Sequence, residues 1–131
     1  MKLFVPIIAA LLIGGCTAEP EPALAGGCKG ATKQLCSFAK RHRLHVISGY
    51  RRNARIAGTR HRSNHARGRA IDAHPPRGVS RKRIERAAHR AGFRVGWYCG
   101  RMRHLHIEHL SYPGQRIKTW YKGCGRRRTR R

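Results

Sequence analysis

Acidic residues are scarce in this chain, which has 5 Asp and Glu against 30 Lys and Arg and a formal net charge of +25 over 131 residues. A positive field of this size attracts polyanions, which include nucleic acids, phosphate-bearing polymers and anionic lipid surfaces. The basic residues are spread along the chain and are not confined to residues 126–131. The net charge therefore predicts that a partner is negatively charged, and it says little about the fold.

The chain also lacks an apolar run long enough to span a bilayer, which takes about 20 residues. Its most apolar stretch, Leu3–Ile13, follows Lys2 and precedes small residues, so we interpret residues 1–15 as a signal peptide. The segment Ile13–Cys16 resembles the lipobox of bacterial lipoproteins, and an ordinary cleaved signal peptide is the alternative. Both interpretations predict an exported protein of the periplasm or cell envelope, and the first adds a lipid anchor on Cys16.

Aromatic residues make up only 7% of the chain, and CxxC pairs are absent. A domain of this length with few aromatic side chains has a modest core and gains stability from cross-links. The lack of CxxC pairs argues against a four-cysteine zinc site. Apart from Cys16 there are four cysteines, which in an exported protein predict two disulfides with three possible connectivities. We favour Cys28–Cys36 and Cys99–Cys124.

The length allows one domain, which we place at residues 28–125, after a Pro- and Gly-rich tether at 16–27 and before a basic tail at 126–131. Apolar spacing predicts a helix over residues 31–42 and another that begins after Ser80 and ends near Gly92. Short or alternating apolar runs predict strands at residues 44–48, 70–73, 93–98 and 104–110. The fold class is therefore predicted as α+β, with two helices against a small antiparallel sheet of about four strands.

Two segments of the predicted domain lack a clear period. Residues 50–69 form a long loop rich in Gly, Asn, Ser, Arg and His, and a loop of this length in a compact domain is usually functional or disordered. Its position between two predicted strands favours a functional loop. The segment after Gly114 is expected to lie on the surface, where Ile117, Trp120 and Tyr121 cover an edge of the sheet.

Imidazoles and carboxylates in two segments carry the chemistry, whereas most of the nine His show no partner pattern and are expected on the surface. His65 precedes Asp72 at the start of a strand, and His104, His106 and Glu108 alternate on one face of another. Burying such groups costs several kcal/mol unless they are satisfied. Two His and one Asp form a ligand set that zinc accepts, with a fourth position open for water. The alternative for Asp72 is a salt bridge with a guanidinium group.

Three segments in order resemble the D-Ala-D-Ala carboxypeptidase-like metallopeptidases, which are grouped with lysostaphin-type endopeptidases and hedgehog amino domains. They are Ser48-Gly49-Tyr50-Arg51, then Ser63-x-His65-x-x-Gly68-x-Ala70-x-Asp72, then Leu105-His106-Ile107-Glu108. The resemblance runs from about residue 45 to residue 109 and implies a fold like that of the hedgehog domains and D-Ala-D-Ala peptidases.

The same resemblance implies roles for individual residues. It implies that His65, Asp72 and His106 hold one Zn²⁺. It implies that Arg51 steadies the substrate and the oxyanion, and that Tyr98 lies near the substrate cleft. Ser63 and Gly68 would shape the turn, with Ser63 hydrogen-bonded locally and not acting as a nucleophile.

The catalytic base is where the chain departs from the resemblance. Several relatives carry an acid three residues before the last ligand, and this chain has Arg103 there. We favour His104 as the general base, with Glu108 as an orienting group or a reserve base, and the choice between the two stays open.

These inferences predict a zinc-dependent hydrolase of peptidoglycan peptides, either a D-Ala-D-Ala-type carboxypeptidase or a cross-link endopeptidase. An activated water would attack the amide, a base would take its proton, and Arg51 would share the charge on the carbonyl oxygen. The expected partners are stem or cross-link peptides and an anionic wall or membrane surface, and the protein is expected to be a monomer. The alternative is a non-catalytic cell-wall or polyanion-binding module on the same fold. Nucleic acid is disfavoured because no aromatic platform is interleaved with the basic residues.

Overall fold

The computed structural model describes residues 28–101 and 103–125, which form an α+β unit. Its elements in chain order are α1 (Lys33–Arg41), β1 (His45–Ser48), a 3₁₀ helix (Asn64–Arg67), β2 (Ala70–His74), α2 (Arg81–Arg90), β3 (Phe93–Tyr98), β4 (His104–His109) and β5 (Thr119–Lys122). The predicted signal peptide, tether and basic tail lie outside the described residues. Neither helix in the described part has the length and apolar character to cross a membrane.

The sheet has five strands in the order β1-β2-β4-β3-β5 and is mixed. The first three pairs are antiparallel, whereas β5 pairs with β3 in parallel, with Trp120 beside Gly96. The two helices and the α+β class are confirmed, but the prediction of an antiparallel sheet of about four strands was wrong. The aromatic residues of Thr119–Lys122 are adjacent and do not alternate with polar ones, so the segment shows no strand period, and its pairing depends on where residues 110–118 return the chain.

The core lies between the two helices and one face of the sheet. Because side chains alternate along a strand, Ile71, Leu105 and Ile107 point into this core, while Asp72 and His106 lie on the opposite face. The apolar residues of the helices complete the core, namely Leu35, Phe38, Ala39, Ile84, Ala87 and Ala88. The sheet therefore has one face against the apolar core and an opposite face that carries polar side chains.

The start of α2 follows the sequence-based expectation. The Ser80 hydroxyl caps the helix by accepting from the Arg83 backbone N–H at 3.3 Å. Glu85 accepts hydrogen bonds from the Trp97 indole N–H and from the Tyr121 hydroxyl. This carboxylate therefore ties α2 to β3 and β5.

Two disulfides cross-link the described part of the chain with the connectivity that we favoured. Cys28 is bonded to Cys36 with their Cα atoms 5.8 Å apart, and Cys99 is bonded to Cys124 with a Cα separation of 4.7 Å. The second disulfide joins the end of β3 to the residues that follow β5. It therefore holds the short parallel strand at the edge of the sheet.

Candidate metal centre

Three elements bring His65, Asp72 and His106 together. His65 lies in the 3₁₀ helix, Asp72 lies on β2, and His106 is the cross-strand partner of Asp72 on β4. All three side chains are buried, and the ligand atoms that they offer lie within 4.8 Å of one another. The fold thus assembles a group that could hold a metal ion.

The turn before β2 sets the position of His65. The Ser63 hydroxyl accepts a hydrogen bond from the His65 backbone N–H at 3.3 Å, which is the local role expected for this serine. Gly68 ends the turn with φ 66°, and a Cβ atom there would lie 2.4 Å from the Gly30 carbonyl oxygen. Glycine is therefore required both by the left-handed backbone and by the close approach of another segment.

The spacing of the three donor atoms fits a small divalent ion. His65 Nε2 lies 3.3 Å from His106 Nδ1 and 3.2 Å from Asp72 Oδ1, and the His106 and Asp72 atoms are 2.8 Å apart. Ligands at about 2.0–2.1 Å from a tetrahedral ion lie roughly 3.3 Å from one another. Two of the three separations match this value, and the third would need to open by about half an ångström.

The other ring nitrogen of each imidazole lies within hydrogen-bonding distance of an acceptor outside the group. His65 Nδ1 lies 2.6 Å from the Gly49 carbonyl oxygen, and His106 Nε2 lies 3.2 Å from Glu108 Oε2. The Gly49 carbonyl oxygen only accepts, so neutral His65 carries its proton on Nδ1, whereas both ring nitrogens of His106 face carboxylate oxygens. A bound metal ion would take the place of the inner proton of His106, and the outer acceptors would orient both rings as they do in metal-ligating histidines.

Glu108 is held by three partners. Besides His106, it accepts from Asn64 Nδ2 at 2.8 Å and from Arg94 Nη1 at 2.9 Å. Asn64 also donates to the Ser111 hydroxyl at 3.0 Å. The carboxylate is thereby fixed in the position in which it orients His106.

Burial and hydrogen bonding oppose each other in setting the protonation of these groups. Burial alone would raise the pKa of Asp72, but hydrogen bonds from His106 and His65 hold that pKa well below its usual range. Burial would lower the pKa of His106, but hydrogen bonds with Asp72 and Glu108 outweigh it and raise that pKa to about 8. The pKa of Glu108 is lowered against burial by His106, Asn64 and Arg94. Both carboxylates are therefore ionised at neutral pH.

Two basic side chains lie beside Asp72 at the edge of the group. Arg51 Nη2 is 3.4 Å from Asp72 Oδ2, the oxygen that does not face the imidazoles, and its side chain is 54% exposed. His104 Nε2 is 3.7 Å from Asp72 Oδ1, and its ring stacks on Tyr98 with centroids 4.5 Å apart. The salt-bridge alternative for Asp72 and the ligand hypothesis are thus compatible, because they use different oxygens.

Strand β5 supplies an aromatic wall. The Trp120 ring meets His106 edge-on at a centroid distance of 5.7 Å, and the Arg94 guanidinium lies over the same ring at 4.9 Å. A Cβ atom on Gly96 would be 2.5 Å from the Trp120 indole, so glycine leaves the space that this ring fills. β5 therefore contributes directly to the environment of His106.

All of the predicted site residues line one cleft of about 640 Å³. They are Arg51, Ser63, His65, Asp72, Tyr98, His104, His106 and Glu108. The sequence reasoning did not identify the contributions of Asn64, Arg94, Trp120 and the Gly49 carbonyl. Arg94 and Glu108 are cross-strand partners, so a correct register for β3 and β4 would have revealed their pairing. The sequence carried no comparable signal for Trp120.

Three of the remaining imidazoles are partly buried and depart from the expected surface position, namely His89, His109 and His42, whose ring contacts Phe38. His109 Nε2 lies 2.7 Å from the Thr32 hydroxyl, and His89 Nε2 lies 3.1 Å from the Thr119 hydroxyl, with both histidines partly buried. These contacts join α1 to β4 and α2 to β5. The two side chains are therefore structural.

No family model, curated protein or solved structure matches the chain at a significant level.

Proposed function

We propose that the protein is a zinc-dependent hydrolase that cleaves peptidoglycan peptides, as a D-Ala-D-Ala-type carboxypeptidase or a cross-link endopeptidase. The observation that supports it best is the convergence of two imidazole nitrogens and a carboxylate oxygen, with the outer nitrogen of each imidazole placed beside an acceptor. A set of two nitrogens and one oxygen suits Zn²⁺ and leaves a position for water, as in the catalytic sites of metallopeptidases. Zinc bound there would polarise a carbonyl and lower the pKa of water to about 7.

His104 is the residue that we assign as general base. It shares one face of β4 with His106 and lies at the cleft, 3.7 Å from Asp72 Oδ1. Glu108 is the less suitable candidate because His106, Asn64 and Arg94 already occupy its oxygens. His104 would take a proton from the attacking water and return it to the leaving amine.

Arg51 is the donor that we assign to the developing negative charge. Its guanidinium uses one contact with Asp72, and five N–H donors are available on an arginine. More than half of the side chain is exposed at the cleft, so the remaining donors can reach a substrate carbonyl. Tyr98 and Trp120 provide apolar surface for the peptide beside it.

The proposed substrate follows from the expected export and the charge. A protein with a signal peptide and a net charge of +25 meets the anionic cell wall, whose stem and cross-link peptides carry carboxylates. Attachment through Cys16, or a periplasmic location without an anchor, is compatible with this substrate. We propose that the protein acts as a monomer.

Metal analysis and digestion of isolated sacculi test this function. The purified protein should bind about one Zn²⁺, and both D-Ala release and cross-link cleavage should stop after chelation and return with zinc. His104→Ala should keep the metal and lose about 10²- to 10⁴-fold in rate. His45→Ala, which removes an exposed imidazole on β1, should leave metal and rate unchanged. Full activity in His106→Ala would refute the proposal.

One observation favours the alternative of a non-catalytic wall- or polyanion-binding module. Each of the three carboxylates in the described part of the chain is already paired, so no carboxylate there is free to act as a base. Stoichiometric zinc in a protein that cleaves no sacculus peptide, while still binding sacculi, would favour this module over the hydrolase.

A further inference from the structure

Within the long loop, two short antiparallel segments form a ribbon at the rim of the cleft. Arg55 and Arg62 are partners in an isolated β-bridge. The flanking hydrogen bonds run from the Ile56 N–H to the His61 carbonyl and from the Ser63 N–H to the Ala54 carbonyl, both at 2.9 Å. We call residues 54–63 the arginine ribbon. Its hydrogen bonds define the relative position of the two arginines.

The two arginines are directly opposite each other at a non-hydrogen-bonded position, where cross-strand side chains come closest. Like charges directly opposite each other are destabilising, and both arginines are exposed at the rim of the cleft, where an anion can reach them. Arg55 Nη1 donates to the Arg60 carbonyl, and Arg62 Nη2 donates to the Ala66 carbonyl at 3.4 Å. Most of their N–H donors therefore have neither a carboxylate nor a carbonyl partner among the contacts found in the described residues.

No carboxylate of the described chain is available to neutralise this pair. Asp72 contacts His65, His106 and Arg51. Glu85 accepts from Trp97 and Tyr121. Glu108 is hydrogen-bonded to Asn64, Arg94 and His106. Among the described residues, no carboxylate therefore neutralises the two arginines, which leaves them open to an anionic ligand.

Arg55 and Arg62 line the same cleft as the candidate metal centre, and Ile56 and Ala57 of the ribbon line it with them. We infer that Arg55 and Arg62 form a second anion subsite, which binds a carboxylate of the substrate peptide away from the bond that is cleaved. The inference rests on the proposed function for the identity of the peptide. It differs from the assignment of Arg51, whose guanidinium contacts Asp72.

The chemistry of the pair sets the size of the expected effect. Guanidinium groups bind carboxylates through two parallel charge-assisted hydrogen bonds, which are about twice as strong as neutral ones. Removal of the carboxylate from the substrate should reduce kcat/KM by roughly 10- to 100-fold. The change should be in KM because the contact is made equally in the ground state and the transition state.

A matched pair of peptides tests this subsite with the zinc-loaded full chain. One peptide is L-Ala-γ-D-Glu-L-Lys-D-Ala-D-Ala, and the other is identical except that the D-Glu α-carboxylate is a carboxamide. Wild-type protein should prefer the acidic peptide, and R55Q/R62Q should lose that preference. R55K/R62K, which keeps the charge but not the fork, should recover part of the preference.

Arg52→Gln is the matched control, because it removes one exposed positive charge from the same loop without lining the cleft. R52Q should keep the full preference of the wild-type protein. An equal loss in R52Q, or no preference in the wild-type protein, would overturn the subsite and leave only a general effect of charge. Circular dichroism and the unfolding midpoint of R55Q/R62Q check that the variant is folded.

Calorimetric titration of the same two peptides separates this inference from the proposed function. If neither peptide is cleaved, the peptidase proposal fails, and the subsite stands only if the acidic peptide binds more tightly and R55Q/R62Q removes the difference. Equal binding of both peptides would overturn the subsite whether or not cleavage occurs. Tighter binding of inorganic phosphate than of the acidic peptide would overturn its assignment to a carboxylate.

Discussion

His65 Nε2 lies 3.3 Å from His106 Nδ1, and both nitrogens face Asp72 Oδ1. If neither nitrogen carried a proton, their lone pairs would repel each other and the Asp72 carboxylate beside them would add negative charge. Either a proton or a metal ion must therefore occupy the space between them. The raised pKa of His106 is the expression of this demand in the metal-free protein.

Glu108→Gln should weaken zinc binding by roughly 10- to 100-fold, the usual effect of losing an outer partner of a metal-ligating histidine. The amide still accepts from His106, but it is neutral and leaves Arg94 without its carboxylate. Competition with a chromogenic chelator measures the affinity. Gln115→Ala, which changes a cleft-lining residue that contacts Ser111 and not Glu108, is the control. An unchanged affinity in Glu108→Gln would refute the orienting role.

The stability of the metal-free protein should fall as the pH rises through about 8. The pKa of His106 is about 8 in the folded protein and about 6.5 in an unfolded chain, so the folded state binds more protons between these values. The contribution is complete below pH 6.5 and amounts to about 2 kcal/mol. Urea unfolding of the wild-type protein and His106→Gln, compared at pH 6 and pH 9, isolates it.

Zinc should reverse the sign of this dependence. Ligation requires His106 without its inner proton, so zinc affinity should rise with pH until about 8 and then level off. The stabilisation by excess zinc should therefore be larger at pH 8 than at pH 6, as measured by the unfolding midpoint with and without the metal. A pH-independent stabilisation would show that no proton is displaced when zinc binds.

Gly96→Ala should destabilise the protein by about 1–3 kcal/mol, because the new methyl group would overlap the Trp120 indole. Moving this ring should also alter the wall against His106. Urea denaturation gives the free energy of unfolding. Gly125→Ala is a close control, since a Cβ atom there meets nothing within 4 Å and its φ lies outside the left-handed region. Equal effects of the two substitutions would contradict the packing of Trp120.

The two disulfides should contribute unequally to stability. They close loops with sequence separations of 8 and 25 residues, and the entropy removed from the unfolded chain grows with loop length. Replacing Cys99 and Cys124 by Ala should cost about 3–4 kcal/mol, against about 2–3 kcal/mol for Cys28 and Cys36. Chemical denaturation of the two double variants measures the difference. A larger loss from the shorter loop would mean that native contacts outweigh chain entropy here.

Local patterns explain which parts of the site could be predicted. Alternation along β4 assigned His104, His106 and Glu108 to one face, since the strand period depends only on sequence. The turn chemistry of Ser63 and Gly68 was likewise recognisable from residue type. The pairings of Asn64 and Arg94 with Glu108 were not, because they depend on strand register and on the position of the 3₁₀ helix.

The edge of the sheet shows the same limit. The two aromatic residues of Thr119–Lys122 are adjacent and do not alternate with polar ones, and the segment's parallel pairing with β3 follows from the path of residues 110–118 and from the Cys99–Cys124 disulfide. Trp120 and Tyr121 do lie at an edge of the sheet, as predicted, but they belong to a strand that pairs with β3. The position of Trp120 against His106 follows from this pairing and could not be predicted without it.

The sequence by itself determined the α+β class, the two helices, the polar face of β4 and the residue types that can bind a metal ion. Each of these depends on periodicity or on side-chain chemistry, which are local properties. Only the tertiary structure decided that His65, Asp72 and His106 meet, which nitrogen of each imidazole faces inward, and that β5 completes the cleft wall. Those features depend on contacts between residues far apart in the chain. Such residues come together only when the whole domain folds, so no local pattern reveals their contacts.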